Sequence, residues 1–275
     1  MLSKLIKYEW KGTYKVLMLI NAFTVFITAL CMIILNSPVY RVMDNESALV
    51  WGMLLFLLYY ATLIGVSMAV TIYCGIRFYK SMYTDEGYLM HTLPVPKNQL
   101  ILSGLIVHSI HMLITELLIY LSIALLLAPV CKIIGDRDPD FTVEMLMHES
   151  ASEMGISIPT FVSVIIITVL IATPCAILLV YGAISLGQTF QKHKVMGSLL
   201  CYVGLYCVVQ TVTSFAMFPQ MITYIGATTD SLNVTFDFRN YFFGVLGSST
   251  FILLVFAVIC YIISYHMMQK KLNLD

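Results

Sequence analysis

One apolar run of the sequence contains side chains that can bind and release protons. His108, His111, Thr115 and Glu116 lie within residues 101–128. At about 100° per residue the first three share one helix face, and Glu116 lies about 80° from His108. An ionisable group is costly in lipid, so Glu116 should face a bundle interior or a water-filled groove. The pattern allows a substrate groove or proton-linked site, and equally a structural hydrogen bond with a neutral carboxyl.

Motifs for nucleotide hydrolysis and metal catalysis are absent from the sequence. A phosphate-binding loop needs a Gly-Lys pair, and the chain has none; it also has no Gly-x-Gly. His148 and Glu149 are not followed by the second histidine of a zinc-protease helix. The sequence therefore predicts no catalytic residue, no metal site and no cofactor bound by this chain.

A short polar segment, residues 77–100, separates two long apolar runs. Within it we predict a helix over 85–93 that lies along the membrane surface. Asp85 and Glu86 place negative charge at the positive end of the helix dipole, and Pro94 ends the helix because it offers no N–H. Because this short helix is held between two spans, a protein that binds to it could transmit force to both spans.

Residues 1–15 have the periodicity of an amphipathic helix, with lysines on one side, and predict a helix lying in the membrane interface. Trp10 is interpreted as an interfacial anchor. Glu9 falls within the apolar arc, where a lone carboxylate is costly. Either Glu9 reaches water or a neighbouring lysine, or it pairs with a cation from the 77–100 segment or from a partner protein.

The composition is that of a membrane protein, with 60% hydrophobic and 11% charged residues, against about 25% charged in soluble domains. Six runs are long enough to cross a core of roughly 30 Å. They are residues 16–37, 48–76, 101–128, 160–188, 195–218 and 243–267. We therefore predict an all-α integral membrane protein, an interfacial helix followed by six transmembrane helices.

Prolines and cysteines refine this prediction. Pro174 lies within the fourth run and predicts a kink, whereas Pro129 and Pro219 are expected to follow spans. The seven cysteines are interpreted as small buried hydrophobic residues. The net charge of zero leaves no basic surface for nucleic acid.

Lysine and arginine are distributed unevenly among the connections. The N-terminus, residues 77–100, residues 189–194 and the C-terminus carry eleven of them, and the other three connections carry four. The positive-inside rule therefore predicts that both termini are cytoplasmic. Residues 130–158, interpreted as a solvated acidic face, and residues 219–240, which could re-enter the outer leaflet, are predicted to be extracellular.

Three features together resemble the permease subunit of a type-2 ABC exporter from a Gram-positive bacterium. The start KLIKYEWK, residues 4–11, is similar to the K-Y-E-aromatic-K start of short permeases. The stretch DEGYLMHTLPV, residues 85–95, resembles the E-G-x-L-x-x-T-L-P stretch that forms their coupling helix. The order of elements agrees over nearly the whole chain. One departure is Gly104, where many relatives have a lysine shortly after this loop.

The resemblance implies the type-2 ABC exporter permease fold over a single transmembrane domain, residues 1–275, in a bacterial cell membrane. It implies an ABC ATPase subunit in two copies, which would hold ATP and Mg, and a second permease, copy or paralogue. It also implies coupling of that ATPase through residues of the 85–93 helix, braced by Glu9 and Trp10. The coupling residues are Asp85, Glu86, Gly87, Tyr88, Leu89, His91 and Leu93.

The expected function is export of a peptide, lipid-like molecule or drug, with energy from the separate ATPase. Two alternatives remain. The first is a non-transporting membrane sensor or anchor, which would need no ATPase. The second is an ion-coupled carrier that uses Glu116 and the histidines, and it requires pH-dependent transport that persists without ATP.

Overall fold

The computed structural model describes residues 1–37, 45–92, 94–137, 155, 157–190, 193–228 and 238–270. Within these ranges the regular structure is entirely helical. The helices are α1 Leu2–Leu35, α2 Asn45–Tyr83, α3 Asp85–Thr92, α4 Lys97–Arg137, α5 Ile158–Gly187, α6 Lys194–Thr228 and α7 Phe238–Lys270. Six are long and apolar enough to cross a membrane, and α3 is the short exception.

The N-terminal segment is not a separate interfacial helix. It forms the first turns of α1, which is uninterrupted over 34 residues, or about 51 Å, and so exceeds the roughly 30 Å hydrocarbon core. Leu5, Glu9, Thr13 and Leu17 are all buried, and their four-residue spacing puts them on one face. The amphipathic pattern therefore reflects packing against the rest of the bundle.

Several helices run past their predicted ends. α2 continues beyond residue 76 to Tyr83, while α4 and α6 run through Pro129 and Pro219. A proline removes one backbone hydrogen bond, but in apolar surroundings every other backbone group still needs its helical partner, so the helix resumes. Two sets of predicted residues lie outside the described residues. One is Leu93 of the predicted 85–93 helix, and the other is residues 138–154 and 229–237 of the predicted outer segments.

Four contacts bring parts of six helices together at one end of the bundle. Arg77 of α2 pairs with Glu9 near the start of α1 and with Glu86 of α3. Tyr83 Oη, at the end of α2, donates to Ser185 Oγ of α5 at 2.9 Å. Lys97 Nζ, at the start of α4, donates to the Met268 carbonyl in the last turn of α7. This end, which holds the beginning of α1, all of α3 and the end of α7, is called the α3 end.

A large cluster of buried side chains lies next to the α3 end. The rings of Phe78 and Tyr181 stack with centroids 3.7 Å apart, and both side chains are fully buried. Gly182 of α5 packs so closely on α7 that a Cβ there would lie 2.6 Å from Cys260 Cβ. In the apolar stretches of the six long helices only 11–28% of the residues are buried, so most side chains there are at least partly exposed, as expected in lipid.

Candidate functional site

The turn between α2 and α3 depends on Gly87. The N–H of Gly87 donates to the Thr84 carbonyl at 2.7 Å, so α3 begins immediately after α2 ends. A Cβ at Gly87 would lie 2.6 Å from the carbonyl carbon and oxygen of Met82. Because these are backbone atoms, a larger residue would require the turn to open, and only glycine fits.

Arg77 joins three helices at the α3 end. Its Nε donates to Glu9 Oε2 at 3.3 Å, and its Nη1 donates to Glu86 Oε2 at 3.1 Å. Ser81 Oγ donates to the other oxygen of Glu9 at 2.7 Å. These four residues are called the Arg77 cluster. Of the two possibilities for Glu9, the structure shows pairing with a cation of the 77–100 segment.

The two carboxylates of the Arg77 cluster differ in burial. The side chain of Glu9 is 2% exposed, that of Arg77 is 13% exposed, and that of Glu86 is 46% exposed. Removal of one partner from a buried ion pair leaves an uncompensated charge, whereas exposed pairs contribute little. The inner pair therefore anchors the guanidinium, and the outer pair ties α3 to it.

α1 is shaped to receive the guanidinium. A Cβ at Gly12 would lie 2.9 Å from one Arg77 nitrogen, so glycine leaves room for the charged group. The ring of Tyr8 lies 5.9 Å from the guanidinium carbon, within cation–π range. Tyr73 Oη donates to the Gly12 carbonyl at 3.3 Å. One arginine of α2 thus connects α1 to α3.

α3 has one face against the protein and one face exposed. Gly87 and Met90 are buried, and Tyr88 and Leu89 are 62% and 68% exposed. Asp85 and Glu86 are also exposed. Four of the predicted coupling residues therefore form an accessible acidic, aromatic and apolar face.

His91 belongs to the packed side of α3. Its Nε2 lies 3.3 Å from the Met82 carbonyl, while Nδ1 is buried without a partner. Because a carbonyl can only accept, Nε2 carries the proton in this contact. Burial lowers the pKa of His91; the Met82 hydrogen bond opposes this shift, and nearby Lys97 adds to it. A neutral His91 therefore secures α3 to the end of α2.

The polar residues of α4 do not converge on one groove in the structure. His108 is 1% exposed, and its Nδ1 lies 2.5 Å from Tyr181 Oη of α5. His111 is buried and stacks on Trp10 of α1 with ring centroids 4.4 Å apart. Thr115 Oγ1 donates to Asn21 of α1 at 2.9 Å. These contacts favour a structural role for the three residues, in contacts between packed helices, over a role in a substrate groove.

Glu116 is the exception in α4. It is only partly buried and makes no hydrogen bond or ion pair with a residue that the structure describes. Its neighbour Tyr120, one turn further along, is 45% exposed. The carboxyl therefore remains available to a ligand or proton.

An apolar groove of about 540 Å³ lies between the halves of α1 and α2 remote from the α3 end. Its wall includes Ile27, Leu30 and Leu54, with Tyr59 and Thr62 among its few polar groups. The groove has the volume of a small-molecule site. None of the predicted groove residues of α4 lines it.

Sequence reasoning missed Arg77 as the centre of the site. Two signals were present: Arg77 is the first cation after the apolar run 48–76, and Glu9 is the only acid in residues 1–15. Their pairing could not be derived from these signals, because it depends on how α1 and α2 pack.

No family model, curated protein or solved structure matches this chain. The resemblance described above therefore stays a prediction.

Proposed function

We propose that this chain is the permease subunit of an ATP-driven exporter of the type-2 ABC class. It would move a peptide, lipid-like molecule or drug outward with energy from a separate ATPase subunit. The observation that carries the proposal is the exposed face of α3, formed by Asp85, Glu86, Tyr88 and Leu89 and tied to α1 by Arg77.

This geometry supports a coupling role because α3 is attached at several points. Gly87 sits against the backbone of Met82, His91 bonds the same residue, and Glu86 binds Arg77. A push on the exposed face would therefore displace the end of α2 and, through Glu9, the start of α1. These two helices also border the apolar groove, so movement of α3 would reach a space large enough for an apolar substrate.

The charge distribution supports a cytoplasmic position for α3. The α3 end holds Lys4, Lys7, Lys11, Arg77 and Lys80 near the first turns of α1 and the end of α2. Cationic residues near span ends favour the cytoplasmic side. An ATPase that uses cytoplasmic ATP would then meet the exposed face of α3.

The proposal is tested by substitution of Leu89, which is 68% exposed and lies on the proposed docking face. Leu89→Asp should remove the co-purifying ATPase and its ATP hydrolysis when the tagged chain is isolated from native membranes. Glu86→Lys should have the same effect, but it also places a cation beside Arg77 and is less selective.

Val195→Asp is the matched control. Val195 is also 68% exposed and lies at the start of α6, next to the connection that follows α5. It should keep the ATPase bound. If no ATPase accompanies the unmodified chain, or if Leu89→Asp retains it, the proposal fails; absence of any ATPase would favour the sensor or anchor function.

A second candidate, an ion-coupled carrier, is favoured by one observation, the unpaired and half-buried Glu116. It requires transport that depends on pH and continues without ATP. Glu116→Gln, which removes the titratable group and keeps the shape, should abolish such transport. Transport that stops when ATP is removed would exclude this candidate.

A further inference from the structure

The six long helices form two groups, each with its own packing. α1 and α4 pack on each other and on α2, whereas α6 and α7 pack on each other and mainly on α5. The group of α1, α2 and α4 is called the first unit, and the group of α5, α6 and α7 is called the second unit. Each unit has a buried cluster of its own, one around Tyr59 in the first unit and one around Cys260 in the second.

Tyr181 of α5 is the central contact between the two units. Its side chain is fully buried, and its ring stacks on Phe78 of α2. Its Oη lies 2.5 Å from His108 Nδ1 of α4. A Cβ at Gly104 of α4 would lie 3.1 Å from the same oxygen, so glycine lets α4 approach closely. One side chain of the second unit therefore contacts two helices of the first.

Two further hydrogen bonds join the units, and both lie at the α3 end. Tyr83 of α2 donates to Ser185 of α5, and Lys97 of α4 donates to the Met268 carbonyl of α7. Among the buried clusters of the described residues, only the one next to the α3 end contains side chains of both units. The α3 end therefore holds the two units together.

The outer half of α5, residues 158–172, lies on the side remote from the α3 end and is packed differently. None of its residues is buried, whereas buried residues recur from Thr173 onwards. It makes no hydrogen bond, ion pair or ring contact with any residue of the first unit that the structure describes. Phe161 stacks instead on Phe242 of α7, in its own unit. Pro174 marks the boundary, where a missing backbone hydrogen bond lets the helix bend.

The outer half of the first unit is also fastened within itself. Tyr59 Oη of α2 donates to Ser122 Oγ of α4 at 2.6 Å and lies 3.2 Å from Thr28 Oγ1 of α1. The only covalent connection between the units is residues 138–157, a stretch that can span tens of ångströms when extended. The chain itself therefore does not hold the two outer halves together.

We propose that the two units pivot about Tyr181, so that their outer halves move apart and together while the α3 end stays joined. Parts of a protein with few buried contacts between them open at low free-energy cost. Motion of packed units about a small set of joining residues is a common form of conformational change. Opening exposes a cleft between α5 and the helices α2 and α4 to the lipid. The pivot goes beyond the proposed function, and it concerns the chain alone, whichever of the functions considered above is correct.

A pivot moves residues in proportion to their distance from it. The outer pair of probe positions is Leu121 of α4 and Ile167 of α5, each about 20 Å along its helix from the level of Tyr181. The inner pair is Ile76 of α2 and Ile262 of α7, each within about 5 Å of that level. All four side chains are exposed, so spin labels at these positions point away from the packed contacts.

Pulsed electron paramagnetic resonance measures both distances on the full chain, in lipid nanodiscs that hold a single copy. The native thiols are treated first: Cys131, Cys201 and Cys207 are replaced by serine, and the buried Cys31, Cys74, Cys175 and Cys260 stay unlabelled. Cysteines are then introduced at the outer pair or at the inner pair. The distance distribution of the outer pair should be several times broader than that of the inner pair.

Tyr181→Phe tests the pivot itself. It removes the contact with His108 and keeps the ring against Phe78, so the inner distribution should gain a second, longer component. Tyr181→Ala removes both contacts and should enlarge that component. Tyr59→Phe is the matched control, because it also removes a buried hydroxyl contact between helices, but within the first unit. It should leave the inner distribution as in wild type.

A distance within the first unit, from Ile33 of α1 to Leu121 of α4, shows whether each variant is folded, since it should stay narrow throughout. Three results would overturn the proposal. The first is an outer distribution as narrow as the inner one in wild type, which decides the matter even where a variant does not fold. The second is an unchanged inner distribution in both folded Tyr181 variants. The third is an equal broadening of the inner distribution in Tyr59→Phe.

Discussion

The guanidinium of Arg77 makes the two ion pairs that connect α1, α2 and α3 at the α3 end. It binds two carboxylates at similar distances, 3.3 Å to Glu9 and 3.1 Å to Glu86. Arginine suits this position because its donors are fixed in a planar fork and point at separate acceptors, which a lysine ammonium on a flexible stem cannot reproduce. Because the two acids differ in burial, Glu9 has a structural role, whereas the carboxylate of Glu86 is accessible to a partner protein.

This difference leads to a stability prediction. Glu9→Gln should lower the free energy of unfolding by up to about 3 kcal/mol, because a buried guanidinium loses its inner partner. Glu86→Gln should cost only about 0–1 kcal/mol, because its carboxylate is largely solvated. Denaturation midpoints of the two variants in detergent check the order. Equal losses would mean that Glu9 is not the anchor of the cluster.

His91 leads to a prediction of pH dependence. Burial holds its folded-state pKa below the ordinary value of 6.5, so on acidification the unfolded chain takes up this proton first. The contribution of His91 to stability is therefore complete above pH ~6.5 and decreases as the pH falls toward the folded-state pKa.

Hydrogen exchange of residues 85–92 measures this effect. Protection of α3 should decrease between pH 7.5 and pH 5 in wild type. The decrease should be smaller in His91→Gln, which can still donate to the Met82 carbonyl but does not titrate. The same pH dependence in both chains would assign it to other groups.

At the scale of elements, the existence of the helices followed from the sequence more readily than their limits. Six apolar runs of membrane length and a short helix after Thr84 could be predicted, because length and hydropathy decide these features. The continuity of α1 could not be predicted. Turns that carry lysines are compatible both with a separate helix that lies in the membrane interface and with a transmembrane helix that extends beyond it. Burial of Glu9 and Thr13 against neighbouring helices decides between the two.

Gly87 fixes the junction between α2 and α3. Gly87→Ala should separate the two helices, because its Cβ would overlap the Met82 carbonyl at 2.6 Å, and overpacking of this kind costs about 1–3 kcal/mol. Limited proteolysis near residue 84 and hydrogen exchange over 85–92 should both increase. Gly65→Ala is the control, since a Cβ there meets nothing within 4 Å. Unchanged protection in Gly87→Ala would show that the turn adapts without cost.

At the scale of the whole molecule, the sequence predicted which residues belong near the site but not how they combine. Glu9 and Glu86 were both singled out, yet their connection depends on Arg77, which packing alone brings between them. The grouping of His108, His111 and Glu116 followed from helical spacing on one element. The three residues do not share a groove, because the ring of His108 contacts Tyr181 of α5 and the ring of His111 stacks on Trp10 of α1.

The orientation of the bundle is the remaining whole-molecule prediction, and the proposed function depends on it. The beginning of α1, all of α3 and the end of α7 lie at one end of the bundle, and the cationic connections favour the cytoplasm for that end. Green fluorescent protein fused after the C-terminus should therefore fluoresce, and alkaline phosphatase fused there should be inactive. Phosphatase inserted within residues 138–154 should be active, which serves as the control for export. The opposite pattern would put the exposed face of α3 outside the cell, where no ATPase that uses cytoplasmic ATP could reach Tyr88 and Leu89, and the exporter function would have to be abandoned.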